Sequence, residues 1–154
     1  MIVINLLILV FIFFMIWILA FLGHELCHIL EANRQGADGG YIIVTSHKGI
    51  PSLVCSWYGE TSELAIYAGG VYSGIIYLAI SILTMFGIYS WGFPLIFSFF
   101  TLGIVNIFYG LYEGMYLEDL EYDEYMRYHY IIYIICIISC LIIMWKPLIG
   151  YLGL

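Results

Sequence analysis

Positive charge is scarce in this sequence: four lysines and arginines stand against eleven aspartates and glutamates in 154 residues. A chain so poor in cations has no basic footprint for a phosphate backbone, which excludes a nucleic-acid partner. Cysteines are few and scattered, at positions 27, 55, 136 and 140, with no CxxC pair. They form neither a disulfide framework nor a cysteine zinc knuckle and read as small buried hydrophobes. Charged residues of either sign reach only 10% of the chain, so a water-facing surface of ordinary composition cannot be built from it. There is no internal repeat of 20 to 50 residues.

Apolar residues fill the space instead. Hydrophobic side chains make up 64% of the sequence and its mean hydropathy is +1.05, the balance of an integral membrane protein. The length allows one domain, residues 1–154, with about four helices of the roughly 20 residues that cross a bilayer. Ile2 to Gly23 carries no charge. With no basic segment before it and no Ala-x-Ala site after it, this stretch is expected to stay as a helix and not to be removed as a signal peptide.

Four apolar segments, at about 2–30, 63–89, 92–114 and 129–150, are each expected to span the membrane as a helix, because lipid tolerates only backbone whose hydrogen bonds are closed internally. Thr61 and Ser62 offer an N-cap to the second helix, and Gly92 and Pro94 mark the turn into the third. Residues 36–60 differ. Tyr41, Ile42, Ile43, Val44 and Thr45 form a β-branched run between Gly40 and Ser46, and Ser52 to Tyr58 is able to pair with it. This reads as a short membrane-associated β-hairpin, with an interfacial loop as the alternative. The expected fold is therefore all-α and membrane-embedded, with about four transmembrane helices and a hairpin between the first two. An acidic loop, 114–127, reads as solvated surface. Arg34, Lys48 and Arg127 fall in loops on one side and Lys146 near the other. The positive-inside rule then places the N-terminus outside.

The chemistry is concentrated in Gly23-His24-Glu25-Leu26-Cys27-His28. On a helix, positions i and i+4 share a face, so His24 and His28 can reach one metal ion while Glu25, about 100° around, holds a water beside it. Zinc accepts neutral imidazoles, needs a third protein ligand, and leaves a fourth position for water. Ionisable groups at the end of an apolar helix are costly in lipid and point to function. Depth along the helices selects Glu113 as third ligand, with Asp119 and Asp123 in the acidic loop as rivals. Gly103, Asn106, Gly110 and Glu113 recur at spacings of three and four, forming a small and polar stripe that faces protein. Asn106 is then placed to hold a substrate carbonyl, to orient a ligand, or to bond another helix. His47 and His129 read as interfacial side chains or as partners of the ligands. Cys27 is expected to point away from the two histidines.

These residues resemble the site-2 protease family of intramembrane zinc metalloproteases over about residues 1–125. In that family HExxH lies near the cytoplasmic end of the first core helix, as His24 to His28 would here. A membrane-associated hairpin follows, like 41–58, and then a small-residue helix, like that with Ala68-Gly69-Gly70. The family's later Asn-x-x-Pro-x-x-x-x-Asp-Gly is represented by Asn106 and Glu113-Gly114, with neither its proline nor its aspartate. The resemblance implies one zinc per chain, Glu25 as general base, a substrate that is itself a membrane protein, and an active site near the cytoplasmic face. An edge strand at Tyr41 to Thr45 would hold the extended peptide by strand addition. The competing reading is a non-catalytic membrane protein whose metal site is closed by a fourth ligand from Asp119, Asp123 or His129. Four histidines are too few for the di-iron clusters of lipid hydroxylases.

Overall fold

The structure is a computed structural model that describes residues 2–47, 50–87, 92–116 and 122–154. The first helix, α1 (Ile2–Arg34), has 33 residues, about 50 Å at 1.5 Å per residue. Leu9, Ile16, Ala20, His24, His28 and Glu31 lie along one buried stripe. Val3, Phe11 and Leu19 on its other faces are exposed. The helix runs four residues past the expected end at 30. There Glu31 accepts two hydrogen bonds from Arg34, at 2.8 and 2.6 Å, and one from Gln35 at 2.9 Å. Gln35 Oε1 in turn accepts the Ser62 N–H and hydroxyl at 2.7 and 2.9 Å. Ser62 was expected as an N-cap; its hydroxyl instead pins the next helix to the end of α1.

The segment after α1 is a hairpin and not an irregular loop. Strands β1 (Gly40–His47) and β2 (Ile50–Trp57) pair antiparallel, with Ile42 opposite Cys55 and Thr45 opposite Ser52. Helices α2 (Leu64–Gly87) and α3 (Gly92–Tyr116) then form an antiparallel pair. Gly70 and Gly110 meet where they cross: a Cβ on Gly70 would overlap the Gly110 backbone and the Asn106 carbonyl, and one on Gly110 would overlap Gly70. Backbones that close bring α3's polar stripe to the α2 side of the molecule. Helix α1 packs across both, its Ile16 and Ala20 against Tyr77 and Leu102.

The expected fourth helix, 129–150, is broken. Helix α4 (Tyr122–Ile143) and α5 (Trp145–Leu152) are separated at Met144, and the portion of α4 from Arg127 diverges from α5 by 71°. Pro147 explains the break. It has no N–H to give to the Ile143 carbonyl, and its ring crowds that carbonyl. A new helix starts instead, with Pro147 in its first turn, where a proline is tolerated, and the Leu148 N–H on Met144 at 2.9 Å. Helix α5 folds back so that the Asn5 amide of α1 donates to the Tyr151 carbonyl at 2.8 Å. Among the described residues three helices, α1 to α3, are long and apolar enough to cross a membrane, or four if the bent pair counts as one span.

The glycine crossing gives a direct expectation. Gly70→Ala and Gly110→Ala should each lower stability by about 1–3 kcal/mol through overpacking. Gly150→Ala, which has open space around it, should be neutral or stabilising by up to ~1 kcal/mol as a helix interior gains alanine. Thermal unfolding of the three variants in detergent micelles separates these outcomes.

Candidate metal centre

His24 and His28 project from the buried stripe of α1 toward α3, where Glu113 meets them. Nε2 of His24 lies 3.1 Å from Nε2 of His28 and 3.0 Å from Glu113 Oε2, and the His28 Nε2 to Glu113 Oε2 distance is 3.4 Å. Ligands of a tetrahedral zinc, each about 2.0 Å from the ion, must stand about 3.3 Å from one another. The triangle has those dimensions. Both imidazoles are buried and Glu113 is only 12% exposed.

The other ring nitrogens decide what these atoms present. The Asn106 amide nitrogen donates to the Leu102 carbonyl at 2.8 Å, which turns its Oδ1 toward His24 Nδ1, 3.1 Å away. An oxygen can only accept there, so His24 carries its proton on Nδ1. His28 Nδ1 lies 2.7 Å from the Ala65 carbonyl, and the same argument applies. Each Nε2 is left with a bare lone pair. With both rings neutral, two lone pairs and a carboxylate oxygen converge on one point. Three acceptors at such distances repel unless a cation, a proton or a metal ion, lies among them, and a donor set of two neutral imidazoles and a carboxylate suits zinc. Carbonyl partners on Nδ1 are what fix a metal-binding histidine in its productive tautomer.

Aromatic rings wall this point. Tyr109 lies 5.1 Å from the His24 ring and Trp57 is stacked 6.5 Å from that of His28. On α2, Gly69 faces His28 so closely that a Cβ there would overlap the imidazole. The Ala68-Gly69-Gly70 run therefore does two jobs: Gly70 admits α3 and Gly69 admits the ligand.

Glu25 points to the hairpin. Its carboxylate accepts the Cys55 N–H of β2 at 3.0 Å and also faces the Cys55 thiol. Glu25, His28 and Cys55 bring a second set of ligand atoms within 4.8 Å of one another, sharing His28 with the first set of His24, His28 and Glu113. Burial, together with the Glu25 carboxylate beside it, pushes the Cys55 thiol well above its ordinary value. Without a cation it stays neutral and can donate to Glu25.

Other expectations fare differently. Asn106 orients His24 through its Oδ1, and its amide nitrogen donates to the Leu102 carbonyl. The Cys55 N–H points outward from the sheet toward Glu25, so β2 is the strand beside the site. Tyr41, Ile42, Ile43, Val44 and Thr45 of β1 lie one strand further away. Asp119 falls outside the described residues, as do Lys48 and the side chains of Asp123 and His47. His129 is buried, 4.7 Å from the ring of Tyr133 and edge-on to Tyr109 at 4.2 Å, and contributes to neither set of ligand atoms. Cys27 is buried on the protein-facing side of α1 but likewise joins neither set. Cys55, Trp57, Tyr109 and the Ala65 carbonyl went unread in the sequence. The hairpin register, 30 residues from Glu25 in the chain, is the signal that would have found Cys55.

No family model, curated protein or solved structure matches this chain.

Two changes that replace no ligand residue should weaken metal binding. Asn106→Leu removes the acceptor that orients His24, and Gly69→Ala drives a methyl into His28. Each is expected to raise the zinc dissociation constant by about 10- to 100-fold, measured against a competing chelator. An affinity equal to that of the parent in both variants would refute the orientation argument.

Proposed function

We propose that this chain is a membrane-embedded zinc metallopeptidase that cleaves a peptide bond in or near a transmembrane segment of another membrane protein. The observation that carries this reading is the convergence of His24 Nε2, His28 Nε2 and Glu113 Oε2 on one point, with the Glu25 carboxylate alongside. Membrane residence is supported by the inside-out distribution of side chains: Phe86, Leu83, Ile142 and Val3 are among many large apolar residues exposed. A water-soluble monomer does not leave so much apolar surface uncovered.

Zinc, when bound, supplies a Lewis acid that polarises the scissile carbonyl and makes the attacking water more acidic. His24, His28 and Glu113 would hold it, and Asn106 and Ala65 keep the imidazoles in register. Glu25 takes a proton from the attacking water and passes it to the leaving amine. A helical substrate must unwind before its amide is exposed, and β2 is the strand placed to receive the extended segment. Arg34 and Arg127 mark the end of the bundle nearest the site and Lys146 the far end. By the positive-inside rule the site lies near the cytoplasmic face with the N-terminus outside. This is the arrangement that the site-2 protease resemblance implies.

One observation favours a second reading. The Cys55 thiol lies within 4.8 Å of His28 and Glu25, and drawn in toward His24 and Glu113 it would close the site as a fourth protein ligand, which would make the centre structural and the protein non-catalytic. The Glu25 carboxylate separates the two readings, because a structural site needs no base beside the ion.

Glu25→Gln should retain one zinc per chain and lower cleavage of a membrane-protein substrate by at least about 100-fold, the usual contribution of general acid–base catalysis. Metal analysis and a cleavage assay in detergent or liposomes provide the two readings. Undiminished cleavage would remove Glu25 from the mechanism.

A further inference from the structure

We propose that the Cys55 thiolate is a displaceable fourth ligand of the His24–His28–Glu113 centre, so that strand β2 keeps the site closed until it is drawn away. The inference rests on the metal reading above and adds to it a latent state.

Geometry supplies the first argument. Cys55 Sγ, a Glu25 carboxylate oxygen and a ring nitrogen of His28 lie within 4.8 Å of one another, and His28 also belongs to the triangle with His24 and Glu113. Cys55 shares no such group with His24 or Glu113. A thiolate about 2.3 Å from zinc and an imidazole about 2.0 Å from it would stand about 3.5 Å apart, so the closed state requires β2 to move in toward the triangle. The Cys55 N–H is tied to the Glu25 carboxylate at 3.0 Å, which anchors β2 at this residue. The residue that would hold the attacking water is therefore also the one that anchors Cys55, so thiol and water would compete for one position.

Packing supplies the second. Among the described residues the hairpin packs against α1 and against no other helix. His24, His28 and Glu113 are instead held between α1, α2 and α3. The hairpin can pivot on α1 without disturbing the three inner ligands, so the fourth is the one that can leave.

The exchange is balanced without any outside reactant. On closing, the Cys55 S–H gives its proton to the Glu25 carboxylate, the sulfur donates an electron pair to the metal, and the water in that position departs. On opening, water returns, the proton goes back to sulfur, and Glu25 is again a free base.

The test uses the full chain in detergent, loaded with Co2+ in place of zinc. The parent should bind one Co2+ and show a sulfur-to-cobalt charge-transfer band in the near ultraviolet beside the visible bands of a tetrahedral ion. Cys55→Ala, and Cys55→Ser as a variant closer in size, should keep the visible bands and lose the charge-transfer band. Maleimide added to the loaded parent should modify Cys55, located by peptide mass mapping, and abolish the band while the Co2+ stays bound. Visible bands with no charge-transfer component, or a component unchanged in Cys55→Ala, would overturn the ligand assignment. Modification that expels the metal, or proceeds only as fast as the metal leaves, would overturn displaceability and leave a permanent structural site. Failure of the parent to bind Co2+ or zinc at all would instead bring down the metal reading, and this inference with it.

Discussion

Two imidazole lone pairs and a carboxylate oxygen, 3.0 to 3.4 Å apart and turned toward one another, are an arrangement that protein atoms alone do not favour. Everything around them serves to hold them there. Ionisable groups at the end of a membrane span are costly, and a metal ion held by them would return free energy to the folded state. Folding of the inner bundle and loading of the centre would then be thermodynamically linked.

The bundle meets this constraint with very small side chains. Contact between Gly70 and Gly110 brings α3 close enough for Glu113 to reach α1, and the same approach carries Asn106 to His24. One residue earlier on α2, Gly69 leaves a recess for His28, and the Ala65 carbonyl, a turn before it, fixes that ring's tautomer. Helix packing and ligand orientation are the same set of contacts here, so the energy that joins α2 to α3 also sets the geometry of the centre.

Much of this was legible in the sequence because it depends on local period. His24 and His28 four apart, Gly103, Asn106, Gly110 and Glu113 three and four apart, and the β-branched run at 42–45 each declare a face or a strand within a few residues. What stayed hidden depends on contacts distant in sequence. The pairing of β2 with β1 does not say which edge turns to α1, and therefore not that Cys55 stands against Glu25. The Ala65 carbonyl is backbone and has no signature at all. The break at Met144 is readable in principle from Pro147, although the run from 130 to 145, with Ser139 as its one polar side chain apart from the tyrosines, carries no other sign of it. Asn106 has the right position for more than one role, and only the Leu102 carbonyl, by fixing the amide's orientation, shows that orienting His24 is one of them.

The bond from Asn5 to the Tyr151 carbonyl gives α1 a further property. Helix α1 is one unbroken rod, fastened to α5 at its first turn and carrying both histidines near its last. Its first turn and its histidines, about 30 Å apart by helical rise, are therefore parts of one element, and the joint with α5 anchors the same helix that carries two of the three candidate ligands.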